Sequence, residues 1–259
     1  MRRREINAIR DAARSKAARD AARSKAAPPV HANPPAFSGE LVETDRVRII
    51  CGDSTDPNVR NLALGGNRPD TVIFDPPYNS KNLWSHMPRP SFCRALLVFY
   101  DSSRAGRAID WATSLGWKLH NQLIWDCGGV SFRHDNEPDW AHKCCGLFGE
   151  FDWSTRRASS MMPKSNRAST LSTRVRFSDV YKHDKRSKLS GHKHIKPWRW
   201  IACILAGVGA TRLVYDPFMG GPSSMKASLE WGVKYAGVEI NPDTFEKTAK
   251  EINSPSGDL

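Results

Sequence analysis

Residues 71–78 constrain this chain more than any other stretch. Thr71-Val72-Ile73-Phe74 is a β-branched and aromatic run of the kind that forms a buried strand, and it ends on Asp75-Pro76-Pro77-Tyr78. Two consecutive prolines fix φ and remove two backbone donors, so a central strand cannot continue through them. The chain must turn at a sheet edge, leaving there a carboxylate, free carbonyls and an aromatic face. That set suits a flat substrate carrying an exocyclic amino group. The carboxylate of Asp75 and the carbonyl of Pro76 can accept both amino hydrogens, while the ring of Tyr78 stacks on the substrate. Asp-Pro-Pro also serves as an ordinary strand-ending turn, so the rest of the chain has to discriminate.

Six further apolar runs have strand character: 47–51, 95–100, 122–125, 145–148, 212–215 and 235–238. Helical patterns cover 105–115, 198–206, 223–231 and about 242–252. Alternation of the two predicts an α/β fold with a mostly parallel seven-stranded sheet and helices on both faces. Ser154 to Ser178 is rich in Ser, Arg and Met without a clean period, which predicts an irregular insert.

The formal net charge is +12, unevenly spread. Nine Lys/Arg face three acids between Arg2 and Lys25, and thirteen face two between Arg156 and Arg199. The remainder is mildly acidic, the pattern of a protein that meets phosphate at defined places. The first basic segment contains a tandem repeat, RDAARSKAA at 10–18 and again at 19–27. It has no apolar stripe beyond alanine and is followed by Pro28, Pro29, Pro34 and Pro35. Residues 1–40 are therefore expected to be an arm and linker, with the folded domain at 41–259. The six cysteines lack metal-ligand spacing and are expected to be reduced core thiols. His183, His192 and His194 have no Cys or acid at matching spacing, so no metal is expected. No stretch is long and apolar enough to span a bilayer, and no signal peptide is visible, which predicts an intracellular, cytoplasmic protein.

A second strand end carries more chemistry. Asp216-Pro217-Phe218-Met219-Gly220-Gly221-Pro222-Ser223-Ser224 follows a strand and opens a helix. Glycines there let the backbone approach a ligand closely. Glu239 ends the next strand, where an acid typically accepts hydrogen bonds from ribose hydroxyls.

Together these segments resemble the S-adenosylmethionine-dependent DNA amino-methyltransferases. Asp75 to Tyr78 resembles their motif IV. Asp216, Phe218 and Gly220 match motif I, with Gly221 beside them and Ser223 and Ser224 standing for its paired threonines. Gly237-Val238-Glu239 matches motif II, and His192, Lys196 and Pro197 match the H-x-x-x-K-P segment. One departure is Pro222, which takes the place of the second glycine of motif I and lacks its N–H. The target-amine motif precedes the glycine turn, as in the permuted beta group. Protein-glutamine methyltransferases share an N-P-P-Y-type motif but place the cofactor loop first. The resemblance covers about residues 45–250.

The resemblance implies a Rossmann-like methyltransferase fold and S-adenosyl-L-methionine as cofactor, held by Asp53, Lys196, Asp216, Phe218, Gly220, Gly221, Ser223, Ser224 and Glu239. It implies Asp75, Pro76, Pro77 and Tyr78 as the catalytic set. The substrate implied is the N6 amine of a flipped adenine in DNA. N4 of cytosine, an RNA substrate and a catalytically silent binding subunit are the alternatives. Residues 150–190 are expected to hold the target-recognition insert, with Arg156, Arg157, Lys164, Arg167, Arg174 and Arg176 on nucleic acid. The small size of this insert suggests a short target or a homodimer.

Overall fold

The computed structural model describes residues 39–77, 82–126, 142–161, 180–182 and 196–253. Among these, nine strands form one sheet: β1 (Leu41–Glu43), β2 (Val47–Cys51), β3 (Thr71–Phe74), β4 (Ala95–Asp101), β5 (Leu119–Asp126), β6 (His142–Gly149), β7 (Val180–Lys182), β8 (Leu213–Asp216) and β9 (Lys234–Glu239). Their order across the sheet is β1-β2-β9-β8-β3-β4-β6-β5-β7. The run from β2 through β9, β8 and β3 to β4 is parallel. β6 is antiparallel to both its neighbours, and β7 lies parallel to β5. β3, β4 and β8 are buried at every position, as parallel strands covered on both faces must be.

The α/β class and the seven expected strands are all present. The two additional strands, β1 and β7, are three residues each and sit at the sheet's two edges. A three-residue run is too short to show an alternation in sequence; only the partner strand's ladder identifies it. β7 also falls inside the stretch expected as an insert. So does a short helix, Thr155–Ser160, which the sequence predicted to be irregular.

Period-two alternation along the central strands sorts their side chains onto two helical layers. Val72, Phe74, Leu96 and Val98 pack against α1 (Pro57–Leu64) and α2 (Ala105–Ser114). Ile73, Leu97 and Phe99 face the other way. That face is covered by α4 (Trp198–Val208), α5 (Ser223–Trp231) and α6 (Pro242–Asn253), with Thr155–Ser160 as α3 packed on α4. Nine consecutive residues of α4, from Trp200, are buried, so this helix is apolar all round and forms the centre of its layer. Each fully buried large side chain there contributes about 1.5–3 kcal/mol of transfer free energy.

The ends of α1 follow local rules. Asp56 caps its N-terminus by accepting from the amide of Asn58 at 2.8 Å, Pro57 occupies the first turn, and Gly65 ends it in the left-handed region.

At the foot of the sheet, buried Asp70 accepts from the Thr211 amide (2.8 Å), the Thr211 hydroxyl (3.0 Å) and the Leu213 amide (3.1 Å). This clamps the start of β3 to the start of β8. The two strands are neighbours, yet their connections diverge: β8 leads through α5 to β9 on one side, while β3 leads to β4 on the other. A crevice must open above such a divergence, at the carboxyl ends of the strands.

Candidate active site

Five strands deliver an acid to that edge: Asp53 after β2, Asp75 after β3, Asp101 at the end of β4, Asp216 at the end of β8 and Glu239 at the end of β9. Ile73, Leu97, Val214 and Tyr235 belong to the α4–α6 layer. By alternation Asp75, Asp101, Asp216 and Glu239 point to that same layer. All five acids line one cleft of about 680 Å³, together with Pro76, Pro77, Lys196, Phe218, Gly220, Gly221, Ser223 and Ser224. The Asp75-Pro76-Pro77 turn and the glycine turn therefore open into a shared cavity, large enough for a drug-sized ligand or cofactor.

On the glycine side the contacts are made by backbone donors. Asp216 is buried and accepts from the Phe218 amide at 3.0 Å. Burial pushes its carboxyl up to about 7, with the nearby charge of Asp75 adding to the rise. Beside it the hydroxyls of Ser224 and Tyr235 share a hydrogen bond of 2.8 Å. Glu239 accepts from the Gly220 amide at 2.7 Å on one oxygen and from the Asn241 amide at 2.7 Å on the other. Its carboxyl is also raised by burial. The Ile240 amide also bonds this carboxylate, and its two oxygens together still keep acceptor capacity for ligand hydroxyls.

Two glycines are needed here. Gly220 has φ +57°, a conformation that side chains rarely adopt. A Cβ on Gly237 would come within 2.8 Å of the Tyr235 ring and 2.9 Å of the Met219 sulfur. Pro222, the departure from the expected pattern, fits without strain. It sits at the N-cap of α5 with φ −77°, and its carbonyl accepts the Lys226 amide at 2.8 Å.

On the other side charges meet charges. The Lys196 ammonium bonds the Asp75 carboxylate and lies 4.8 Å from the centre of the Phe99 ring. Lys196 is only 8% exposed. It thus lines the cleft, with its ammonium on Asp75. Asp101 is wholly buried, accepting from the Ser103 hydroxyl at 2.8 Å and the Arg104 guanidinium at 3.2 Å. Asp53 forms a local turn, accepting from the Thr55 amide (2.9 Å) and hydroxyl (2.8 Å). Phe218 packs edge-on against Phe74, with centroids 5.3 Å apart.

Asp101, Arg104 and Tyr235 were not expected. Asp101 could have been found, since it continues the series of acids at strand ends; the expected strand stopped one residue short of it. Tyr78, Lys164, Arg167, Arg174 and Arg176 lie outside the described residues, as do His183, His192 and His194. Arg156 belongs to α3. Arg157 of the same helix has a structural task. Its guanidinium donates to the carbonyls of Ala206 (2.9 Å), Asp152 (3.2 Å) and Gly207 (3.4 Å), satisfying the C-terminal end of α4. The expectation that Arg157 contacts nucleic acid finds no support in that geometry. Among the described residues no cluster of His, Cys, Asp or Glu could hold a metal ion, the five described cysteines are buried thiols, and no helix is long and apolar enough to cross a membrane.

No protein-family model matches the chain, and no curated protein matches its sequence. Solved structures do resemble it. The M1.HpyAVI–SAM complex aligns with a TM-score of 0.55 over 80% of this chain and 99% of that one, at 16% identity. TTHA0409 of Thermus thermophilus, complexed with S-adenosyl-L-methionine, aligns at 0.51 over 82% and 97%, also at 16% identity. The PvuII DNA methyltransferase, cytosine-N4-specific, aligns at 0.60 over 86% and 92%, at 11% identity. At these identities the likeness is one of fold. The chain has the α/β architecture of these proteins across nearly their whole length.

Proposed function

We propose that this protein transfers a methyl group from S-adenosyl-L-methionine to the exocyclic N6 of an adenine in DNA. The observation that carries the reading is the shared cleft, in which the Asp75-Pro76-Pro77 turn faces the Gly220-Gly221 turn. The site fits the cofactor on its own chemistry. Glu239 offers spare lone pairs for ribose hydroxyls, and Gly220 and Gly221 leave open space where side chains would stand. Phe218 adds an apolar wall. When bound, the cofactor supplies an electrophilic methyl group.

The remaining steps fall to the chain. An adenine amine is a poor nucleophile because its lone pair is delocalised into the ring. Asp75 and the Pro76 carbonyl accept its two hydrogens, which favours a more tetrahedral nitrogen with its lone pair aimed across the cleft. Lys196 holds one oxygen of Asp75 and so orients the carboxylate. Much of the rate gain then comes from positioning donor and acceptor in contact. Tyr78 stacks on the base and offsets part of the few kcal/mol that extrusion from a duplex costs. Arg156, Lys164, Arg167, Arg174 and Arg176 remain the proposed contacts to nucleic acid. The basic balance suits such a polyanionic partner.

A second reading, methylation of cytosine N4, draws on the PvuII enzyme, whose fold aligns over 86% of this chain. Incubation with labelled cofactor and unmethylated DNA, followed by nucleoside mass spectrometry, separates the two. N6-methyladenine is the expected product; N4-methylcytosine selects the second reading. Unlabelled DNA together with no heat of cofactor binding by calorimetry leaves a silent binding subunit.

A further inference from the structure

The two edges of the sheet carry opposite charge. Acids stand at the carboxyl ends of the strands, whereas arginines gather at the amino ends. β8, β3 and β4 lie side by side and run parallel, and an arginine precedes each: Arg212 before Leu213, Arg68 three residues before Thr71, and Arg94 before Ala95. With Asp70 and Thr211 these arginines line a second cavity, of about 570 Å³. Asp70 precedes Asp75 by five residues along β3. At about 3.3 Å per residue the second cavity lies roughly 16 Å below the cleft, at the foot of the same strands.

Charge in this cavity is unbalanced. Asp70 is the one acid among its lining residues, and it already accepts from the Thr211 amide, the Thr211 hydroxyl and the Leu213 amide. Among the described residues none of the three arginines pairs with a carboxylate. Burial pushes the thiol of Cys93, which also lines the cavity, up to about 12, so it adds no negative charge. Three cations around one carboxylate leave a positive void, and a void lined by one sign of charge concentrates counter-ions.

Two of the arginines are held in place. Arg68 donates to the carbonyls of Phe92 (3.3 Å) and Ser91, and Arg94 to those of Val208 (3.0 Å) and Gly209 (2.7 Å). These bonds use two of the five N–H donors on each guanidinium and leave the others for a ligand. Arg212 differs from both. It is exposed, and its guanidinium makes no hydrogen bond or ion pair among the described residues. Tying loops together, the task of Arg157, accounts in part for Arg68 and Arg94 and not at all for Arg212. Guanidinium forks fixed around a void match the oxygens of a phosphate, which offers more charge and more acceptors than a carboxylate.

We infer that the foot of the sheet is an anion site that takes a phosphate group, bound by Arg68, Arg94 and Arg212. The phosphate comes from a small phosphate monoester or from a nucleic-acid backbone. In the second case it lies on a segment remote from any base in the cleft, because the two edges face opposite ways. The site stands whether or not the cleft transfers methyl groups.

The test titrates the full chain with inorganic phosphate and follows backbone amides by NMR. The Thr211 and Leu213 amides report the foot, and the Gly220 amide reports the cleft. Saturable shifts at Thr211 and Leu213 are expected, with Gly220 unmoved. Arg212→Gln is expected to weaken that binding roughly 10- to 100-fold, the worth of one charge-assisted hydrogen bond. Its melting temperature without phosphate should match the wild type, since Arg212 bonds nothing in the described fold. Shifts at Thr211 and Leu213 that chloride reproduces at equal ionic strength overturn the inference. So do shifts that persist unchanged in Arg212→Gln, or that appear at Gly220 alone. Ribose 5-phosphate and a short blunt duplex then compete for the occupied site. Displacement by the sugar phosphate alone identifies a small monoester as the source, and displacement by the duplex identifies the nucleic-acid backbone. Failure of both to displace phosphate overturns the site as one for phosphate esters.

Discussion

The two walls of the cleft hold their carboxylates by different means. On the glycine side, buried Asp216 and half-buried Glu239 are held by backbone amides and hydroxyls, and burial raises both. On the turn side, Asp75 and Asp101 are paired with Lys196 and Arg104. Amide cradles suit neutral, hydroxyl-rich ligands and hold a loop's shape. Ion pairs fix a carboxylate's direction. On the proposed function, binding falls to one wall and reaction to the other, although both are built from equivalent strand ends.

The sharpest way to break this division is Asp75→Ala. Turnover in the labelled-cofactor assay is expected to fall roughly 10²- to 10³-fold, the scale for losing one preorganised electrostatic contact. Cofactor affinity by calorimetry should stay within about threefold. Retention of more than a tenth of wild-type turnover would remove Asp75 from the reaction. Glu239→Gln is the mirror experiment. It keeps the shape but halves the acceptor capacity, so the cofactor dissociation constant is expected to rise roughly 10- to 100-fold. If turnover at saturating cofactor collapses as well, the two walls are not separable.

Lys196→Met decides to which wall the lysine belongs. The sequence resemblance attached it to the cofactor, whereas its ammonium lies on Asp75. About a tenfold loss of turnover with unchanged cofactor affinity, restored by Lys196→Arg, is expected; a matching loss of affinity would return it to the cofactor side. The smallest effect concerns pH. Asp216's folded value of about 7 lies above its ordinary 3.8, so the folded state binds this proton more tightly. Its contribution to stability is present in full below about pH 3.8 and is lost as pH rises through about 7. The melting temperature of the wild type should therefore fall between pH 5 and 8 relative to Asp216→Asn, and parallel curves would show that the buried acid does not titrate there.

The same contrast explains what could be read from the residues alone. The glycine wall is almost entirely local. Asp216, Phe218, Gly220 and Ser224 lie within nine residues, and Glu239 follows one helix later. Its geometry comes from a strand end, a positive φ and a helix start, each of which leaves a signature in sequence. The turn wall is local only in its Asp101–Arg104 pair, three residues apart; the rest is assembled from afar. Lys196 meets Asp75 across 121 residues, and Arg157 reaches carbonyls about 50 residues away. A run of arginines looks the same whether it faces phosphate or caps a helix. α3 and β7 escaped notice for a related reason: six and three residues are too few to show a period, and both are held by neighbours.

By itself, then, the order of residues determined where strands end, which turns must break them, and which acids and glycines stand at those ends. These follow from φ restrictions, side-chain alternation and burial of apolar runs, all properties of neighbouring residues. Only the tertiary structure decided that Asp75 would receive the Lys196 ammonium, that both turns would share one cleft, and that Arg157 would serve the scaffold. Those outcomes depend on which strands the divergence between β3 and β8 brings side by side, and contacts across such distances along the chain carry no local signature.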